Sequence, residues 1–212
     1  KLTPGAMKTQ DIPLFPLQAV LFPGGVVSLP VIEARHLDVI ARSTKTDTGI
    51  GLVLAEEDGR QLTILGRSAP NIARVGCLCR VLDFDQDDAG QLKVTLIAER
   101  KFKVLNTYEG DDRALFGEVM LLELEPVIAT GPEDESMVDV LEHLLSHPGV
   151  APEAKQTGYG HLADLGGRLA ELLPLKNAVR QRMLEINDPV ARLNHLEKLL
   201  DQMQATAEAQ GA

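Results

Sequence analysis

Cys77 and Cys79, in the stretch GCLCRV, are the two cysteines of the chain, and their spacing limits what they can do. A disulfide across one intervening residue closes a very small ring at awkward geometry. In a strand the two thiols face the same side. A tetrahedral metal site needs further ligands, and no second cysteine pair or nearby histidine supplies them. The pair reads as reduced core thiols, as suits a reducing cytoplasm. His143 and His147 stand four apart and can share a helix face, which would suit a metal. Yet Pro148 ends that helix and no third ligand is evident. The reading adopted is a solvated helix end, where histidine complements the negative dipole terminus. The acidic run DFDQDD (83–88) lacks the ligand spacing of a calcium loop and reads as a solvated hairpin tip.

Other chemistry leaves no mark. There is no glycine-rich loop ending in Lys-Ser or Lys-Thr and no G-x-G-x-x-G between a strand and a helix. Neither G-x-S-x-G nor H-E-x-x-H occurs. No cofactor and no metal are expected, and nothing demands catalysis. With five Phe, two Tyr and no Trp, the core must be built from aliphatic residues, and few rings remain for stacking on bases or sugars. The net charge of −10 repels polyanions, and the first 126 residues and the remainder are both acidic, so nucleic acid is a disfavoured partner.

The elements that would position any site begin with an uncharged run, IPLFPLQAVLFPGGVVSLPVI, from Ile12 to Ile32. Its length matches the about 20 apolar residues that cross a bilayer as a helix. Pro13, Pro16, Pro23 and Pro30 exclude that, because each internal proline costs a helix about 3 kcal/mol and leaves backbone groups unpaired in lipid. No compact basic start or cleavage pattern marks a signal peptide, so no membrane association is expected. The run reads as two short buried strands joined by a turn at PGG, with Leu14, Val20, Leu21, Val26, Val27, Leu29 and Ile32 inside. A short amphipathic helix follows in EARHLDVIARSTKT, presenting Leu37, Ile40 and Ala41. Strands are expected at IGLVLAEE (50–57), QLTIL after an Asp58-Gly59 turn, CLCRVLDF, LKVTLIAE, KFKVL and LFGEVMLLELE.

The pattern then changes period. Met137, Val140, Leu141, Leu144 and Leu145 recur at helical spacing. A second helix carries Leu162, Leu165, Leu169, Leu172 and Leu173 up to Pro174, and a third carries Val179, Met183 and Ile186. Asn187-Asp188-Pro189 is a cap with proline at the first helical position, opening a fourth helix with Leu193, Leu196, Leu200 and Met203. The chain is thus α+β, strands first and helices after.

The opening motifs PLFPL, VLFPGG and SLPVIEARH resemble the start of the N-terminal substrate-binding domain of Lon protease. The matching positions are Pro13, Leu14, Phe15, Pro16, Leu17, Leu21, Phe22, Pro23, Gly24, Leu29, Glu33 and Arg35. Ile32 stands where that family usually has Phe, Ala34 where it has Pro, and His36 where it has Tyr. Further on, IGLVLAE, GCLCRV and AERKFKVL are similar to later strands of the family. There Cys77 takes a usual Thr position, Ala98 a usual Gly and Lys101 a usual Arg, while Phe102 is kept. The closing LLPLKNAVRQRMLEINDPVARLNHLEKLL is similar to its helical part, so the resemblance spans residues 11–203.

The resemblance implies a PUA-like β pseudobarrel lobe over 7–126 and a C-terminal helical bundle over 127–206. The opening KLTPGA (1–6) reads as an expression-tag remnant and 207–212 as a polar tail. Protease members continue into an ATPase module and a Ser-Lys peptidase. This chain ends before either, so a stand-alone, non-enzymatic, cytoplasmic member that binds polypeptide or protein clients is expected. The candidate peptide-binding residues are Glu33, Arg35, His36, Phe15, Phe22 and Phe102. Each has a structural alternative: a salt bridge or cap for Glu33 and Arg35, core packing for the phenylalanines. An RNA-binding PUA-like module and a small-molecule enzyme are the rival readings.

Overall fold

Where proline and glycine interrupt the uncharged run, the backbone is extended. β1 (Thr9–Leu17) and β2 (Val26–Pro30) flank a turn in which the Gly25 N–H donates to Phe22 O at 2.8 Å. Gly24 sits there at φ +81°, a conformation that costs a side-chain-bearing residue but not glycine. The computed structural model describes residues 9–31, 34–55, 71–86, 90–110, 114–150, 155 and 158–211. The expected Asp58-Gly59 turn, QLTIL and Ile32 lie outside them. The chain divides into two units, Lys1–Glu123 and Leu124–Ala212. No helix among the described residues is long and apolar enough to cross a membrane.

The first unit holds β1, β2, α1 (Ala34–Thr46), β3 (Ile50–Leu54), β4 (Val75–Gln86), β5 (Leu92–Glu109) and β6 (Leu115–Leu121). β1 and β2 do not pair with each other. The sheet order is β2-β5-β4-β3-β1-β6, and β6 pairs with β5 as well. Pairing thus passes round β1, β3, β4, β5 and β6, a barrel-like course. The barrel-like sheet is not closed, and β1 divides its length: Thr9–Pro13 pair with β6 and Leu14–Leu17 with β3.

LKVTLIAE and KFKVL form one continuous strand of 18 residues rather than two. Register shifts opposite Leu78/Cys79 and at Val104/Asn106 take up its bending, as bulges do. Its length lets β5 serve β2 with its first half and β6 with its second.

Ile12, Leu14, Val53, Phe102, Val104 and Val119 fill the interior. Phe102 fits only because glycines face it. A Cβ on Gly51 would lie 2.8 Å from Phe102 Cζ, and one on Gly76 would lie 2.8 Å from the same atom and 2.4 Å from Leu52 O. Cys77 and Cys79 are buried thiols outside any disulfide, as the spacing implied. α1 is rotated from expectation: Val39, Ile40 and Ser43 are buried, while Leu37 is half-buried and Ala41 exposed.

In the second unit a single 3-10 turn, Pro132–Asp134, leads into α2 (Glu135–Ser146), followed by α3 (Leu162–Leu172), α4 (Asn177–Glu185) and α5 (Pro189–Gly211). Met137, Leu141, Leu165, Leu169, Met183, Leu184, Leu193 and Leu196 are buried, so the period-3.6 stripes are the core. Asp188 Oδ1 accepts the Val190 N–H at 2.9 Å, which is the expected cap of α5. The helix continues through Ala205 and Ala209 to Gly211, where a polar tail was expected, because the segment MQATAEAQ is rich in strong helix formers.

Arginines from later helices close the carbonyl ends of earlier ones. Arg180 Nε and Nη2 donate to Ala170 O and Leu173 O at 3.2 and 2.9 Å, at the end of α3. Arg192, 1% exposed, donates to Met183 O and Ile186 O at 3.1 and 2.8 Å, at the end of α4, and pairs with Glu125. Cations there oppose the negative end of the helix dipole and satisfy carbonyls that would otherwise be orphaned.

Gly76→Ala is expected to destabilise the chain by about 1–3 kcal/mol through overpacking against a backbone carbonyl that cannot yield. Gly158→Ala, with nothing within 4 Å of the added carbon, is expected to leave stability nearly unchanged. Denaturant titration of both variants checks this.

Candidate functional site

Phe15 lies on the second half of β1, opposite Leu52 of β3, and is half-buried. His36, in the first turn of α1, is half-buried too, and its ring meets that of Phe15 edge-on at 5.4 Å between centroids. These are the candidates the structure brings together. Phe22 and Phe102 are core residues, 1% and 0% exposed, so they leave the set of surface candidates. Their aromatic bulk is used for packing, the alternative the sequence had left open. Glu33 and the side chain of Arg35 lie outside the described residues.

A strand meets a partner through its backbone as well as its side chains, so the sheet edges matter as much as the rings. The Val31 N–H donates to Leu92 O at 2.9 Å, and the Ala98 N–H to Gly25 O at 2.8 Å. Antiparallel pairing alternates, so Val27 and Leu29 also point their backbone groups at β5. Val26 and Ser28 then point theirs to the other side, as Pro30 does with its carbonyl alone. No strand lies on that side among the described residues. The exposed Ser28 hydroxyl bonds Thr95 Oγ1 at 2.8 Å, which fixes the register of this edge.

The opposite edge of this part of the sheet is differently finished. Among the described residues, β4 beyond Cys79 pairs with β5 on one side alone. Here Asp83 Oδ1 accepts the Phe84 N–H at 2.8 Å and Asp85 Oδ1 accepts the Gln86 N–H at 2.7 Å. By the same alternation these are the N–H groups that point away from β5. Asp83, within the expected strand CLCRVLDF, and Asp85, expected in the polar tip beyond it, both belong to β4 and occupy two of its outward donors. The signal was present: an aspartate directly before each outward-pointing amide in L-D-F-D-Q.

His147 follows the last turn of α2, and its Nδ1 accepts the Gly149 N–H at 3.1 Å, as a local cap of the turn. Among the described residues no group of three or more His, Cys, Asp or Glu is placed to hold a metal ion. In the second unit, the Tyr159 hydroxyl donates to Glu142 Oε1 at 2.8 Å, and that bond, with burial, raises the phenol above its ordinary pKa. The Asp164 carboxyl, in the first turn of α3, is raised chiefly by desolvation and further by Glu125, against the lowering influence of His161 and Arg168.

The substrate-binding domain of ATP-dependent protease La (Lon) matches the chain over residues 11–202. Among solved structures, a Lon N-terminal domain protein from Xanthomonas campestris is 32% identical with a TM-score of 0.69, over 89% of this chain and 98% of that one. The N-terminal domain of a Mycobacterium avium complex Lon protease shares the fold at 17% identity and a TM-score of 0.58, over 88% and 96% of the two chains. No curated protein sequence matches significantly.

Because the folded state raises the Asp164 pKa, the ionised form disfavours folding. Its contribution is most favourable below the unfolded value near 3.8 and is lost as pH rises through the folded pKa. Asp164→Asn should therefore gain stability over the parent as pH rises from about 3 to about 7. Parallel thermal unfolding at the two pH values checks the sign.

Proposed function

The chain belongs to the Lon substrate-binding domain family, and from that premise we propose that it is a non-enzymatic module that binds extended polypeptide along the outer edge of β2. The observation that carries this reading is the contrast between two edges. On β4 the outward Phe84 and Gln86 N–H groups are taken by Asp83 and Asp85, whereas on β2 the outward groups of Val26 and Ser28 have no strand partner among the described residues.

An incoming strand at β2 pairs its own N–H and C=O groups with that row, a recognition mode that reads backbone and tolerates many sequences. Each such bond contributes about 0.5–1.5 kcal/mol, so a segment of several residues is needed for useful affinity. Substrate recognition that must accept varied clients is served by this arithmetic. α1 follows β2 in the chain, and its His36, with the Phe15 ring of β1 edge-on against it, offers a polar and an apolar side-chain contact. Glu33 and Arg35 fall on the connecting segment and its first helical turn, and we assign them the polar contacts there. The mechanism needs no cofactor, ATPase or peptidase within these residues. The net charge of −10 opposes a nucleic-acid partner, and buried cysteines outside any disulfide fit a reducing cytoplasm.

Ser28→Pro removes one outward N–H at a position where an edge strand tolerates proline. It is expected to lower the affinity for a fluorescent ten-residue apolar peptide at least about fivefold, the effect of losing one bond of ~1 kcal/mol. Ser28→Ala, which loses the Thr95 contact and keeps the N–H, should bind as the parent does. Equal affinities for all three proteins would remove the edge as the binding site.

A further inference from the structure

The outer wall of β1, β6 and β5 carries a different kind of surface. In register, Pro13 faces Phe116, which faces Tyr108, and one row away Asp11 faces Glu118, which faces Asn106. Positions two apart on a strand share a face, so these residues form one patch. Ile12, Gly117 and Val119 alternate with them and point into the core, so the patch looks outward. The Tyr108 and Phe116 rings stack at 5.8 Å between centroids and 16° between planes, and Tyr108 is 44% exposed. Asp11 is exposed and Glu118 half-buried. The Tyr108 phenol is raised by burial, then by a hydrogen bond with the Asp11 carboxylate, then by the charges of Asp11 and Glu118.

Two stacked rings present electron-rich faces, and a cation within about 6 Å of such a face is attracted by the ring quadrupole. Two carboxylates beside the rings supply the matching charge, and among the described residues neither is part of an ion pair. A guanidinium suits both halves of this arrangement, because it is planar enough to lie on a ring and offers paired N–H donors to a carboxylate. We propose that the patch of Tyr108, Phe116, Asp11 and Glu118 binds an arginine side chain of a client polypeptide, with the guanidinium over the rings and its N–H groups on the carboxylates. This rests on the reading of polypeptide as the ligand, but it uses a wall of the barrel separate from the β2 edge. It adds a preference to recognition that backbone pairing alone lacks: clients carrying arginine near the extended segment are favoured over neutral ones.

The test is an NMR titration of the full chain with an acetylated Gly-Ser peptide containing three arginines, and with the same peptide carrying citrulline. The arginine peptide should shift Tyr108 and Phe116 most, and citrulline, equal in shape but neutral, should bind markedly more weakly. Asp11→Asn and Tyr108→Leu should each weaken arginine-peptide binding about two- to fivefold, the range for an exposed cation–ring contact. Glu197→Gln, the same charge change on exposed α5, should leave binding unchanged. Equal binding of the citrulline peptide, or an equal loss with Glu197→Gln, would overturn the proposal, as would largest shifts elsewhere. Asp11→Asn alters an exposed carboxylate and keeps the test open if Tyr108→Leu does not fold. An apolar strand peptide still bound by Asp11→Asn locates the loss in the arginine patch. A chain that binds arginine peptide but no strand peptide retains this proposal and loses the edge reading.

Discussion

Every backbone N–H and C=O on a strand must find a partner, and the way this sheet meets that demand governs both its shape and its use. β1 meets it by division, giving its first half to β6 and its second to β3. β5 meets it by length, reaching β2, β4 and β6 in turn. β4 meets it with its own side chains, since Asp83 and Asp85 stand in for a neighbouring strand. β2 is the strand whose outer row is met by none of these devices among the described residues. Family membership supports a substrate-binding module, and the proposed strand addition uses the edge that this accounting leaves open.

The second unit answers the same demand with charge. Helix ends leave carbonyls without intrahelical partners, and Arg180 and Arg192 supply donors to the ends of α3 and α4. Burying a guanidinium is costly unless its donors and its charge are matched. Arg192 is matched by three backbone carbonyls, of Met183, Ala163 and Ile186, and by the Glu125 carboxylate. Arg168 is matched in charge by Glu171, whose Oε1 accepts from Nη2 at 2.8 Å. Such a framework holds short helices in fixed relation where their own lengths give little independent stability.

Much of this was legible from residue order. Proline and glycine ruled out a helix in the uncharged run, the switch to 3.6-residue spacing located α2 to α5, and Asp188-Pro189 marked the start of α5. The opening motifs identified the family. What was not legible depends on contacts distant in sequence. Local pattern cannot tell that β1 and β2 part company to join different neighbours. Nor can it show that LKVTLIAE and KFKVL are one strand, because the register shifts that bend it answer to β4 and β6. α1 presented an apolar stripe at Leu37, Ile40 and Ala41, yet the buried face is Val39, Ile40 and Ser43, since packing rather than hydropathy chose the rotation. Phe22 and Phe102 stood in a recognised motif and turned out to be structural. Arg180 and Arg192 looked like ordinary solvated helix charges, for nothing in an amphipathic pattern distinguishes a capping arginine from an exposed one. At the site, Phe15 and His36 were named from the sequence, and the β2 edge emerged only from the register of its partner.

Amide hydrogen exchange of the full chain, with and without a saturating extended apolar peptide, addresses the edge reading most directly. Strand addition at β2 predicts new protection at the Val26 and Ser28 amides, with Phe84 and Gln86 unchanged because their donors are already occupied. Protection confined to β4, or binding that leaves the β2 amides exchanging at their free rate, would contradict the account.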